Sequence, residues 1–257
     1  MAIQRSRRKP ESRTMTWSIL ARDAEGRLGA AIASRFFAVG SLCLASSPAG
    51  IVCTQALINP LYGPDGLGLL ADGIAAGDAV ARLIAHDAGR EQRQLHLLPR
   101  AGAAAAFTGA SCIDWFGHLV QEDFSIAGNM LAGPGVIEET ARAFRATARL
   151  PLAERLLAAM EAGEAAGGDK RGKQGAALRI QHREAYPVLD LRVDDHPEAL
   201  SELRRLYDKS LERYQAYVQC LATRADYAGL TDRAAIDARV ARFQAERKGG
   251  SGSSATG

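Results

Sequence analysis

The run Leu28-Gly-Ala-Ala-Ile-Ala33 has no polar face. A strand with one side in water alternates apolar and polar letters, so a strand written this way is covered on both sides. Just before it, Thr16–Arg22 places Trp17, Ile19 and Ala21 on one face at period two. The Asp23-Ala24-Glu25-Gly26 loop joining the two runs ends in a glycine, which accepts the positive φ of a tight turn. The two runs therefore read as a hairpin in the middle of a layered body.

Further strand patterns fall at 51–58, 94–98, 103–108, 125–131, 176–181 and 189–193. Helical patterns come in pairs between them. One pair covers 67–71, with Pro64 near its start, and a segment capped by Asp78 that aligns Val80, Leu83 and Ile84. The second pair covers 136–147 and 152–162, with Pro134 and Pro151 at the starts. Grouped strands separated by paired helices fit neither a strict parallel repeat nor an all-β sandwich. They indicate an α+β fold of stacked sheets covered by helices.

The chain has 257 residues, 47% hydrophobic and 24% charged. That is ordinary globular composition and excludes disordered, collagen-like and disulfide-scaffold classes. The formal charge of +3 belongs to a short arm. Residues 1–14 hold Arg5, Arg7, Arg8, Lys9 and Arg13 against Glu11 alone, and the remainder is slightly negative. This balance gives no reason to expect a nucleic-acid partner. Cys43, Cys53, Cys112 and Cys220 form no CxxC pair and have no histidine at metal-ligand spacing, which argues against zinc and a disulfide framework. No apolar run approaches the roughly 20 residues of a membrane span, and the arm lacks the apolar stretch of a secretory signal, so a cytoplasmic protein is expected. Four zones follow: a disordered basic arm (1–14), a body (15–207), a helical extension (208–248) and a flexible tail (249–257).

Eight ordered stretches of the body carry a family resemblance. They are Thr16-Trp-Ser-Ile-Leu-Ala-Arg-Asp23, Ala33-Ser-Arg-Phe-Phe-Ala-Val-Gly40, Thr54-Gln-Ala-Leu-Ile-Asn-Pro-Leu-Tyr-Gly-Pro64 and Gly89-Arg-Glu-Gln-Arg-Gln94. Then come Phe107-Thr-Gly-Ala-Ser-Cys112, Gly128-Asn-Met-Leu-Ala-Gly133, Gly167-Gly-Asp-Lys-Arg-Gly-Lys-Gln174 and Leu189-Asp-Leu-Arg-Val-Asp-Asp-His196. In this order they resemble DUF1028, a bacterial and archaeal family of unknown function with an N-terminal-nucleophile (Ntn) hydrolase-like fold. The resemblance implies a four-layer αββα sandwich. It also implies an Ntn-type hydrolase that cleaves an amide or related acyl bond in a small, anionic substrate, with no metal or organic cofactor.

Within that resemblance Thr16 is the candidate nucleophile. It follows Met15, and a small second residue permits removal of an initiator methionine. Were Met15 the start, the Thr16 hydroxyl could attack an acyl carbon while its own α-amine took the proton. With residues 1–15 attached there is no such amine. The abrupt change of composition after the arm favours a misread start or a dispensable extension. Without the amine, Thr16 is simply a β-branched residue opening a strand.

Ser34 and Arg35 end the second strand, which the hairpin returns beside Thr16. Arg35 suits a substrate carboxylate because its fork binds two oxygens, and it equally suits a loop anchor. Asn129, in a strand of small and apolar letters, resembles the oxyanion-stabilising asparagine of other Ntn enzymes. Asn59 is a weaker candidate, because Asn-Pro initiates turns. In the glycine-rich loop before the strand at 176, Asp169 could orient Lys170 or the Thr16 amine. Lys170, Arg171 and Lys173 could gather an anionic group, or the loop could be a solvated turn. Asp194-Asp195-His196 reads as a helix cap. His86, His96, His118 and His182 read as core or surface histidines. Two other readings stay open: an Ntn fold without the nucleophile, acting as a cyclohydrolase-like enzyme, and a non-catalytic binding or assembly protein forming a homo-oligomer through its C-terminal helices.

Overall fold

The computed structural model of the chain describes residues 16–168 and 173–251. The elements run β1 (Thr16–Arg22), β2 (Leu28–Ser34), α1 (Val39–Leu42), β3 (Leu44–Ser47), β4 (Gly50–Ala56), α2 (Tyr62–Ala71) and α3 (Ala76–Ala85). Next are β5 (Arg93–Pro99), β6 (Ala105–Thr108), β7 (Trp115–Val120), β8 (Phe124–Leu131), α4 (Gly135–Ala146) and α5 (Leu152–Ala165). The chain continues with β9 (Gly175–Gln181), β10 (Leu189–Val193), α6 (Ala199–Ser210), α7 (Tyr214–Val218) and α8 (Arg233–Ser251). Two antiparallel sheets form, one in the order β10-β9-β2-β1-β8-β7 and the other in the order β3-β4-β5-β6.

The hairpin lies at the centre of the larger sheet, as the apolar run requires. Gly26 takes a φ of 73° in its turn, and the Asp23 carboxylate accepts the Glu25 and Arg27 amides, closing the loop. Alternate residues of the hairpin enter different cores. Trp17, Ile19, Ala21, Ala31 and Ala33 pack with residues of α4, α5 and α6 such as Val136, Phe144, Leu156 and Leu203. Leu20, Leu28, Ala30 and Ile32 instead meet Ile51, Cys53 and Leu98 of the smaller sheet. The far side of that sheet, through Val52, Leu95 and Leu97, packs on α2 and α3 at Tyr62, Leu70, Val80 and Leu83. Gly29 lets α5 approach closely, since a Cβ there would lie 2.6 Å from a Leu156 methyl.

Several elements differ from the sequence reading. Strands β3 and β7 and the short α1 have no counterpart in it. β3 is only four residues long, and β7 mixes glycine and histidine with aromatics at a sheet edge, so neither shows a clean period. Helix α2 begins at Tyr62, earlier than expected, with Pro64 inside its first turn. Asp78 sits in the first turn of α3 and does not cap it. At α6 the expected cap shifts: His196 Nδ1 accepts the Glu198 amide at 3.0 Å, while Asp195 accepts from the Gln174 side chain at 3.1 Å. Helix α8 runs to Ser251, into the stretch read as a tail. The extension packs on the body through Phe243, through the Tyr186 hydroxyl donating to the Ala222 carbonyl and through the Arg224 amide donating to Glu184. All four cysteines are buried free thiols. Among the described residues no helix is long and apolar enough to cross a membrane.

Candidate active site

The strand register sets three polar side chains abreast. Thr16, the first residue of β1, lies opposite Ser34 on one side and Asn129 on the other. Directly opposed residues of antiparallel strands share a face. All three occupy the end of the seam between the sheets, where Thr16 is 7% exposed and Ser34 and Asn129 are 1% exposed. The Thr16 and Ser34 hydroxyl oxygens are 2.8 Å apart. Asn129 donates from Nδ2 to Gln94 Oε1 at 2.9 Å.

Backbone strain collects at the same edge. Among the described residues, Ala38, Ala56, Asp114 and Met130 are the non-glycines at positive φ, between 52° and 66°. Ala38 follows Ser34 closely, Ala56 ends β4, and Met130 is next to Asn129. Asp114 follows Ile113, whose carbonyl accepts the Met130 amide at 3.1 Å. Left-handed backbone costs a residue with a Cβ on the order of 1 kcal/mol or more, and such strain gathers at sites where function holds it.

Behind the three residues the seam is polar, which the sequence reading did not anticipate beyond taking His96 for a core or surface histidine. Gln55, Gln94, His96, Ser18 and Ser125 are each fully buried. His96 bridges the sheets, its ring nitrogens 2.9 Å from the Ser18 hydroxyl and 2.8 Å from the Ser125 hydroxyl. Burial, with His118 nearby, pushes its pKa down to about 3, so the ring is neutral at ordinary pH. Burial likewise pushes the Cys53 thiol up to about 12, so it is no nucleophile. The available signal was alternation. Gln94 and His96 share a face with Leu98, while Leu95 and Leu97 fill the other core.

Arg35 is half-buried just beyond Ser34 and has no ion-pair partner among the described residues; Phe36 and Phe37 next to it are exposed. Asn59 is committed elsewhere: its Nδ2 donates to Asp87 at 3.2 Å, and its Oδ1 accepts the Leu61 amide. That Asp87 carboxylate is partly desolvated, which raises its pKa. The donors Tyr62, Arg93, the Gly89 amide and Asn59 outweigh this and hold it well below the usual carboxylate range. Lys173 is largely buried and ion-paired with Glu164, with Glu198 3.9 Å away. Asp169, Lys170 and Arg171 lie outside the described residues.

Two sheets lined with helices and a threonine-serine-asparagine row at one end of their seam define an α+β protein with a buried polar site. The family follows from comparison. The model of a family described as "Family of unknown function (DUF1028)" matches residues 16–203, and the chain belongs to that family. A crystal structure of a DUF1028-family protein from Silicibacter pomeroyi superposes with a TM-score of 0.79 at 34% identity, covering 85% of this chain and 96% of that one. Anbu from Hyphomicrobium sp. strain MC1 matches with a TM-score of 0.36 at 12% identity, over 76% of this chain and 94% of its own, a likeness that carries no argument. No curated protein matches.

Proposed function

We propose that the protein is an Ntn-type hydrolase of four-layer αββα build, cleaving an amide or related acyl bond in a small anionic substrate. The observation that carries this reading is the register of Thr16 between Ser34 and Asn129 at the strained end of the seam. The family match, which opens at Thr16, supports it.

The chemistry requires Thr16 to be the first residue of the working chain. Its α-amine, ordinarily titrating near 7.7–8.0, then accepts the hydroxyl proton as Oγ1 bonds to the acyl carbon. The carbonyl π electrons move to oxygen, and Asn129 Nδ2–H donates to the developing oxyanion. Collapse expels the amine leaving group, which takes the proton back from the α-ammonium. The ester left on Thr16 is hydrolysed by water, deprotonated by the same amine, and carboxylate and threonine are released. Ser34 orients the attacking hydroxyl. Arg35, with no internal partner among the described residues, receives the acidic group, whereas the charge of Lys173 is already answered by Glu164.

The test is acylation by small amide and ester substrates. Thr16→Ser keeps the activity and Thr16→Ala removes it. Equal turnover in the Thr16→Ala variant would overturn the proposal.

A further inference from the structure

The hydrogen bonds across the seam form a chain whose direction follows from one fixed point. Gln94 Nε2 lies 2.7 Å from the Gly128 carbonyl oxygen and 3.2 Å from that of Gly117, with the Thr108 hydroxyl 3.1 Å away. Backbone carbonyls only accept, so that end of the Gln94 amide must be its NH2 and the other end its oxygen. Gln94 Oε1 meets Asn129 and Gln55, each at 2.9 Å, so both of those amides present nitrogen to it. Gln55 therefore turns its oxygen to Ser18, 2.7 Å away, and the Ser18 hydroxyl donates. A hydroxyl has one proton, so Ser18 must accept from His96 Nε2. Nδ1 of the neutral ring then accepts from the Ser125 hydroxyl. Every amide and imidazole on this route has a single allowed orientation.

We propose that Gln94 is the positioning residue of the site. Pinned by two carbonyls, it holds Asn129 with Nδ2 anchored and, through Gln55 and Ser18, keeps His96 as the Nε2–H tautomer. The catalytic consequence rests on the acyl-transfer reading given above; the orientation itself rests on geometry alone. One Nδ2 proton of Asn129 goes to Gln94, and the second stays available to an oxyanion. An Asn129 amide turned the other way would offer Oδ1, an acceptor, to developing negative charge, and so oppose the reaction. A chain of neutral groups does this work without burying a charge.

The experiment is NMR of the isotopically labelled protein with Thr16 as its first residue, reading the His96 ring nitrogens and the exchange of the Asn129 side-chain NH2. Hydrolysis of p-nitrophenyl acetate is followed on the same samples. In the unmodified protein His96 is the Nε2–H tautomer at neutral pH. Gln94→Leu speeds Asn129 NH2 exchange about tenfold or more and lowers kcat about tenfold to a hundredfold, with KM within about twofold. Gln55→Met frees the His96 tautomer while leaving Asn129 exchange unchanged, and it decides the matter should Gln94→Leu fail to fold. An Nδ1–H tautomer in the unmodified protein, or Asn129 exchange indifferent to Gln94→Leu, overturns the proposal, as does Gln55→Met leaving His96 unaffected. Absence of ester hydrolysis in the unmodified protein counts against acyl transfer, and the resonances alone then judge the orientation.

Discussion

Thr16, Ser34 and Asn129 stand where alanine or isoleucine would pack more cheaply. Each puts a polar group between the sheets, and the network behind them answers the cost. Thr16→Ala should lower turnover by about a thousandfold or more, measured as kcat, while Thr16→Ser retains it. In the proposed reaction the base is an α-amine that works deprotonated, so activity should rise with pH through about 7.7–8.0. Thr16 stands out in the sequence through the family resemblance and its place after Met15, and Asn129 as a polar letter in a strand of small and apolar residues. Gln94, Gln55 and Ser18 carry no such mark. A polar letter within a strand names no partner, and their partners lie 34 to 39 positions away for the pairs Gln94–Gly128, Gln94–Asn129, Gln55–Ser18 and Gln55–Gln94. The Asn59 amide is already engaged in its own loop, accepting the Leu61 amide and donating to the Asp87 carboxylate that pairs with Arg93.

At the level of elements, the site depends on short connections that bring strained residues to one edge. The loop after β6 lies flat on the turn before β5: the Gly109 amide donates to the Arg93 carbonyl and the Ser111 amide to the Glu91 carbonyl. A Cβ at Gly109 would run into the Arg90 and Glu91 backbone, which cannot swing aside as a side-chain tip can. Gly109→Ala should therefore destabilise the fold by about 1–3 kcal/mol, read as a lower urea midpoint at unchanged slope. The long strands and paired helices were readable because each buries a continuous face. Strand β7 was not, because it is an edge strand with a register shift between Trp115 and Gly117 that breaks its alternation.

On the scale of the whole molecule, the two sheets are joined by a polar seam as well as an apolar one, and this gives stability a pH signature. His96 is neutral when folded, with its pKa pushed down to about 3, whereas the unfolded ring titrates near 6.5. Between those values the unfolded chain binds the extra proton, so stability falls as pH drops from about 6.5 toward 3. Thermal melts of His96→Gln should show a shallower decline over that window than the unmodified protein, and parallel declines would deny His96 that role. The layered build was legible from one apolar run because a strand without a wet face demands cover on both sides. The extension was legible only as helical charge patterning, since its contacts with Tyr186 and Glu184 are made across the fold. The most direct test of the central claim is the intact mass of the active protein purified from its native gene. The expected chain begins at Thr16 and gains one acyl mass at that residue with substrate. A fully active chain that keeps residues ahead of Thr16 would contradict it.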